Sequence, residues 1–328
     1  MAGGRKRLVH VVSHGPNCLD GVTAAAAVGR YYANERVVTL FAANNESDKV
    51  IQSVMPAGGR LHDLWITDLS WVTYDTASHL RHLLKSGTRL FWIDHHRTAV
   101  SRAANPEFQV PFTGKVLTEQ FSAAKLVYDF LPTNEPPQDS RRAQDHEAFR
   151  EVVNRADDHD RWIHQIPDSP DWALAVQTLG ARESYREFLR LRAARMSRPL
   201  LQALDIGRRS VRHSIELAKS TAADRELDRG LNLCTACCFG YTSEAAAELY
   251  GVRTNTVVAL LDLRSLGVSL RRSADCQVDL SKIAEAFGGG GHAAASGFDL
   301  PMLRNSLGEE LSRRLGDQIT ATVERQPS

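Results

Sequence analysis

The chain reads as an α/β protein with a larger N-terminal domain on a parallel sheet, a helical connector and a smaller C-terminal α/β domain. Three features predict this. Short apolar runs alternate with helical patterns through the first half, the stretch from Ser184 to Ser220 is helical throughout, and strand signals return after Arg229. At 328 residues the chain also exceeds the usual size of one hydrophobic core, and the expected division is 1–182, 183–229 and 230–328.

Leu8 to Ser13 is the first apolar run, and Asp20 stands where a helix through Tyr32 would be capped. Arg36 to Ala42, Leu64 to Thr67 and Arg89 to Ile93 follow as buried strands, with a helix from Tyr74 to Lys85 stopped by Gly87. Strand–helix–strand order of this kind implies parallel pairing. Glu119 to Leu131 and His146 to Ala156 are the next helices, separated by the segment from Pro132 to Pro137. In the connector, Phe188, Leu191, Leu200, Leu204 and Ile215 recur among Arg and Lys. Beyond it, Leu231 to Cys234, Thr254 to Leu261 and Gly267 to Arg271 are expected strands, and Ser243 to Tyr250 and Asp279 to Phe287 expected helices.

Composition narrows the function classes. With 43% hydrophobic residues, 24% charged residues and a formal net charge of +1, the chain lacks the basic excess with which proteins grip long duplex DNA, which favours small substrates. No apolar stretch approaches the ~20 residues that cross a membrane, and the run after Arg5, Lys6 and Arg7 is too brief and strand-like for a signal peptide. Cytoplasmic residence is expected, and the five cysteines, an odd number, suit reduced thiols.

Functional groups in open α/β sheets gather beyond the carboxyl ends of strands. Here three of the candidate strand ends carry residues able to bind a metal. His14, Cys18 and Asp20 follow the first strand, Asp68 the Leu64 strand, and Asp94, His95 and His96 the Arg89 strand. A lone Asp in such a place is usually a cap or turn residue, but the coincidence of all three places points to cations held at one sheet rim. Near the end, Gly288 to Gly291 follow a helix and precede the small residues from Ala293 to Gly297. Glycine permits positive φ and close backbone approach, so Gly289, Gly290 and Gly291 would present amides to a ligand, with His292 a further donor.

These segments resemble the DHH phosphoesterases. Trp92-Ile93-Asp94-His95-His96 is similar to their D-H-H signature, and His14 to Gly21 to their first motif, H-x-x-x-D-x-D-G. Thr67-Asp68-Leu69-Ser70 resembles the second motif, the run from Asp157 to Trp162 a fourth, and Phe287 to Gly297 the G-G-G-H segment of the DHH-associated C-terminal domain. The resemblance covers nearly the whole chain. It implies a metal-dependent phosphoesterase with two cations, commonly manganese. His14 and residue 18 would bind the first, Asp20, His95 and Asp158 the second, and Asp68 would bridge them. Asp158 is preferred to Asp157 because Asp158-His159-Asp160-Arg161-Trp162 fits a D-x-D-x-W form. His96 would face the substrate phosphate, Asp94 would orient the histidines, and Arg271, with Arg272 as the alternative, would clamp a phosphate.

Cys18 stands where the family usually has Asp. A thiolate there would favour Fe2+, Co2+ or Zn2+ over Mn2+, and a neutral buried thiol would weaken the first ion. Cys234 and Cys237 form a C-x-x-C pair without a second pair, which suits packed thiols better than structural zinc. The expected substrates are short oligonucleotides, cut by a 3′–5′ exonuclease or nano-RNase that releases mononucleotides. Linear or cyclic dinucleotides and 3′-phosphoadenosine 5′-phosphate come next, then a polyphosphate or pyrophosphate hydrolase and a catalytically silent nucleotide sensor. A homodimer is the common case, although no heptad specifies one.

Overall fold

The computed structural model describes residues 6–137, 139–251, 253–300, 309–310 and 312–320. Two compact units divide the chain, residues 1–207 and 208–328. The first contains β1 (Leu8–His14), α1 (Leu19–Tyr31), β2 (Arg36–Ala42), α2 (Ser47–Gln52), β3 (His62–Thr67), α3 (Tyr74–Lys85), β4 (Thr88–Asp94), α4 (Arg97–Ala104) and β5 (Gly114–Leu117). It continues through α5 (Ala123–Asn134), α6 (Ser140–Glu147), α7 (Arg150–Asp160), α8 (Ser169–Leu179) and α9 (Ala181–Arg190) into α10 (Arg198–Thr221).

Its five strands lie in the order β2-β1-β3-β4-β5, all parallel. Both faces of this sheet are covered, which is why its strands are nearly continuous apolar runs. Along β4, Phe91 and Ile93 enter one core with α1, α5, α7, α8 and α9, while Leu90 and Trp92 enter the other with Ile51, Leu80 and Ala99. Trp65 stacks on Phe91 in the first core, ring centroids 4.2 Å apart. The parallel arrangement brings the carboxyl ends of β1, β3 and β4 to one rim, because Ser13 pairs with Thr67 and Thr67 with Ile93.

Several helices depart from the sequence expectation. The stretch from Ser184 to Ser220 is not one helical run: α9 ends at Arg190 and α10 begins at Arg198, with Pro199 in its first turn, where a missing N–H costs nothing. Phe188 of α9 is fully buried in the first core, so this helix belongs to the packing of the first unit. The helix expected from His146 is two, α6 and α7, and β5 has only four residues, too few for a period-2 signal.

The second unit holds β6 (Ala223–Glu226), β7 (Asn232–Cys238), α11 (Thr242–Tyr250), β8 (Thr256–Asp262), β9 (Gly267–Arg272), α12 (Leu280–Ala286), β10 (Gly290–His292) and β11 (Ala295–Asp299). They form a mixed sheet in the order β10-β11-β9-β8-β7-β6, in which β7 and β8 pair parallel and the others antiparallel. Cys234 and Cys238 are buried in its core, and Cys237, three residues from Cys234 on a strand, projects to the other face. That C-x-x-C pair therefore cannot close on one ion. Among the described residues no helix is long and apolar enough to cross a membrane.

Candidate metal centre

The rim where β1, β3 and β4 end holds a cluster of ligand-type side chains. Asp68, left-handed at φ 53 directly after β3, is 1% exposed and lies at its middle. Its Oδ2 is 3.5 Å from His14 Nδ1 and accepts from the Cys18 thiol at 3.5 Å. Its Oδ1 lies 3.4 Å from His95 Nε2 and 3.7 Å from His96 Nδ1. The two oxygens of one carboxylate thus serve two groups of ligands.

Each group has its own anchor. Cys18 caps α1 and accepts from the Gly21 N–H, so the turn that starts the helix also presents the sulfur. Asp20 is held by the first turn of α5, its Oδ2 accepting from Ala123 N–H at 2.8 Å and Oδ1 from Ala124 N–H at 2.7 Å. A helix amino end favours a carboxylate there. His95 Nε2 is 3.7 Å from Asp20 Oδ2 and 3.5 Å from Asp160 Oδ2. Three sets, His14/Cys18/Asp68, Asp68/His95/His96 and Asp20/His95/Asp160, each keep their ligand atoms within 4.8 Å of one another.

The residues present fit divalent cations. Ligand atoms bonded at about 2.0–2.3 Å to one ion stand at spacings of this order. Asp68 Oδ1 and His95 Nε2 are buried without a hydrogen-bond partner, a cost that a cation between them would remove. The carboxylates also repel one another: burial, with Asp68 and Asp160 close by, pushes Asp20 well above the usual carboxylate range. Burial raises Asp160 to about 6. Burial works against ionised Asp68 too, but the imidazoles of His14 and His95 outweigh it and hold that carboxyl below its ordinary value. For Cys18, burial and then Asp68 and Asp20 push the thiol up, which favours its neutral form unless a cation is bound beside it.

Asp94, fully buried, accepts at Oδ1 from the His96 backbone N–H at 3.0 Å and sits 2.8 Å from His96 Nδ1. It thereby sets the orientation of His96, while His95 meets Asp20, Asp68 and Asp160 instead. Bonding to Asp94 raises the pKa of His96. Helix α4 begins at His96 with no side-chain cap, leaving a helix amino end open beside these ligands.

Asp158 requires a correction. Its Oδ1 accepts from Gln165 N–H at 2.8 Å and its Oδ2 from the Ser169 hydroxyl at 2.5 Å, so it anchors the turn into α8 and stands outside the cluster. Asp160 instead groups with Asp20 and His95. Successive helix positions rotate by 100°, which sets 158 and 160 on nearly opposite faces of α7 but 157 and 160 on one. Asp157 confirms the face by accepting from Ser122 N–H at 2.7 Å, at the start of α5.

In the second unit, Arg271 reaches the hydroxyls of Ser269 at 3.0 Å and Ser243 at 3.1 Å, whereas Arg272 bonds the Cys276 carbonyl. The glycine run is no free loop. Gly290 and Gly291 pair with Gly297 and Ser296 as a hairpin strand, and a Cβ at Gly289 would come 2.2 Å from the Gly297 carbonyl oxygen. His292 is exposed. A hollow of about 590 Å³ is lined by Phe287, Gly288, Gly289, Ser269 and Phe298, without Arg271, Gly290, Gly291 or His292. The larger hollow, about 1430 Å³ along β2, is lined by none of the rim cluster's side chains, so side-chain chemistry rather than cavity size locates the centre.

Two expected results follow from this geometry. A Cβ at Gly21 would lie 2.3 Å from the His14 carbonyl oxygen, so Gly21→Ala forces α1 away from the end of β1. Urea denaturation should show a loss of about 1–3 kcal/mol. The second concerns pH. Burial alone would lower His95, but Asp68, Asp20 and Asp160 raise it to about 9. A histidine raised above its unfolded value contributes stability fully below about pH 6.5, and that contribution is lost as pH rises through about 9. Asp160, raised to about 6, acts in the same direction between about pH 4 and 6. The Tm of the chelator-treated protein should therefore fall from pH 6 to 9. Saturating divalent metal should flatten that slope, because the cation replaces the His95 proton, and a slope unchanged by metal would contradict the assignment.

No family model matches the chain. It is 26% identical over 310 residues to oligoribonuclease NrnB of Bacillus subtilis, covering 88% of this chain and 72% of that protein. Among solved structures, the DHH domain of a member of the S1p family of ribosomal proteins aligns with TM-score 0.61 at 14% identity, over 94% of this chain and 86% of that one. Exonuclease RecJ bound to manganese aligns with TM-score 0.53 at 16% identity, over 98% and 91%. In fold, in order of motifs and in this relative, the chain is similar to the DHH family of phosphoesterases.

Proposed function

We propose that the chain hydrolyses short oligonucleotides, dinucleotides included, from a chain end and releases mononucleotides. The observation that carries this reading is the division of Asp68 between two ligand groups, the arrangement a bridged pair of cations needs. In the proposal His14, Cys18 and Asp68 hold one ion, and Asp20, His95, Asp160 and the same Asp68 hold the other. Cations held there would supply positive charge to a phosphoryl oxygen and lower the pKa of a bound water. His96, its Nδ1 fixed by Asp94, presents its other nitrogen to the phosphate, and the open amino end of α4 adds backbone N–H donors. The near-neutral net charge and the kinship with an oligoribonuclease support a short substrate. The five free thiols suit a reducing, cytoplasmic setting.

Purified protein with Mn2+, Fe2+, Co2+ or Zn2+ and a panel of labelled dinucleotides, five-mers, cyclic dinucleotides, 3′-phosphoadenosine 5′-phosphate, polyphosphate and a long duplex tests it. Mononucleotides should accumulate from the five-mer and the linear dinucleotide, with the duplex uncut. Phosphate release from polyphosphate alone, or binding without product, would replace the proposal with a polyphosphatase or a sensor. The softer thiolate of Cys18 should make Fe2+, Co2+ or Zn2+ better activators than Mn2+, and Cys18→Asp should move the preference towards Mn2+.

A further inference from the structure

Four of the five tryptophans, Trp65, Trp71, Trp92 and Trp172, are fully buried, but Trp162 is 67% exposed. It stands two residues after Asp160, a separation the chain spans in at most about 7 Å. Its backbone is in the left-handed region at φ 56, and His164 repeats this at φ 53, conformations that bulky residues adopt only when their surroundings impose them. Asp158 does so: its carbonyl accepts from Ile163 N–H at 2.9 Å while its carboxylate holds Gln165 and Ser169. The anchored turn therefore keeps Trp162 in water, two residues along the chain from Asp160 of the ligand-type cluster. Trp162 and His164 have ring centroids 4.4 Å apart, and His159 and His164 are stacked at 5.7 Å. A second exposed ring, Phe121 at 40%, lies two residues before Ala123, whose N–H binds Asp20, and carries the Arg161 guanidinium 5.4 Å from its centroid.

We propose that Trp162, flanked by His159 and His164, is a stacking platform for the nucleobase of a nucleotide whose phosphate is bound at the neighbouring ligand cluster. The inference rests on the phosphoesterase reading of that cluster and adds the feature that would select nucleotides over simpler phosphoesters. A flat ring face accepts any base, because every base has a π-face, so the platform favours bases over bare sugar phosphates without reading sequence.

The other four tryptophans are buried and emit further to the blue, so the red-shifted part of the fluorescence reports on Trp162. Titrating the full chain with adenosine 5′-monophosphate in the presence of Mn2+ is expected to quench the solvent-exposed emission, and ribose 5-phosphate to leave it unchanged. By calorimetry, Trp162→Ala should bind adenosine 5′-monophosphate about 10- to 100-fold more weakly, with Trp162→Phe close to the parent. On a linear dinucleotide the Ala variant should raise KM by a similar factor with kcat less affected, and the loss should shrink on an abasic ribose-phosphate dimer. Unchanged fluorescence, or equal nucleotide affinity in Trp162→Ala, would overturn the platform, as would a protein-docking role that leaves every nucleotide titration flat. A parent protein that cuts no phosphoester but whose Trp162 emission is quenched by the nucleotide would remove the hydrolase reading and uphold the platform.

Discussion

Asp68→Asn should lower kcat/KM by about 10³-fold or more. Cation charge at a phosphoryl group stabilises the transition state by several kcal/mol, and each 1.36 kcal/mol is a factor of ten. The substitution keeps the shape of a side chain that is 1% exposed but removes the charge that His14, Cys18, His95 and His96 surround. Metal content by atomic emission should fall together with activity, since both ligand groups share this carboxylate. Circular dichroism should remain that of the parent protein. A variant that kept its full metal content and rate would remove the bridging role and with it the proposed mechanism.

Asp160→Asn and Asp158→Ala should separate cleanly, although the two residues are neighbours but one. Asp160 reaches His95 at 3.5 Å and is otherwise free of fold-holding bonds among those described, so its loss should cost metal and about 10²- to 10³-fold in kcat/KM at a nearly unchanged Tm. Asp158 accepts from the Ser169 hydroxyl and Gln165 N–H while 4% exposed. Burial disfavours its charge, but these donors and the Ile166 N–H hold its carboxyl below the ordinary range. Truncation leaves buried donors unpaired and should destabilise by about 2–4 kcal/mol. Metal content in the surviving folded protein should stay near the parent level. The reverse pattern, with Asp158 controlling metal and Asp160 stability, would show that α7 presents its other face in solution.

The difference between these two residues marks where sequence reading stops. His14, Cys18, Asp20, Asp68, His95 and His96 were legible because each follows an apolar run, and in a parallel sheet all run ends lie at one rim. Nothing comparable announces Asp160. Asp157, Asp158 and Asp160 all precede Trp162, and a D-x-D spacing shares a face in a strand but not in a helix. The glycine run was a similar case. Its composition announced close backbone approach, but the hairpin partner it approaches, Gly297, lies several residues on and is chosen by sheet pairing.

By itself the sequence determined the α/β class, the parallel pairing of the first sheet and the likeness to DHH phosphoesterases, because apolar periodicity and motif order are local properties of the chain. Tertiary structure alone decided which face of α7 meets the ligands, that the α5 amides hold Asp20, and that Asp68 divides its oxygens between two groups. Those facts depend on how elements distant in the sequence pack, and a side chain's direction is fixed only when its neighbours are.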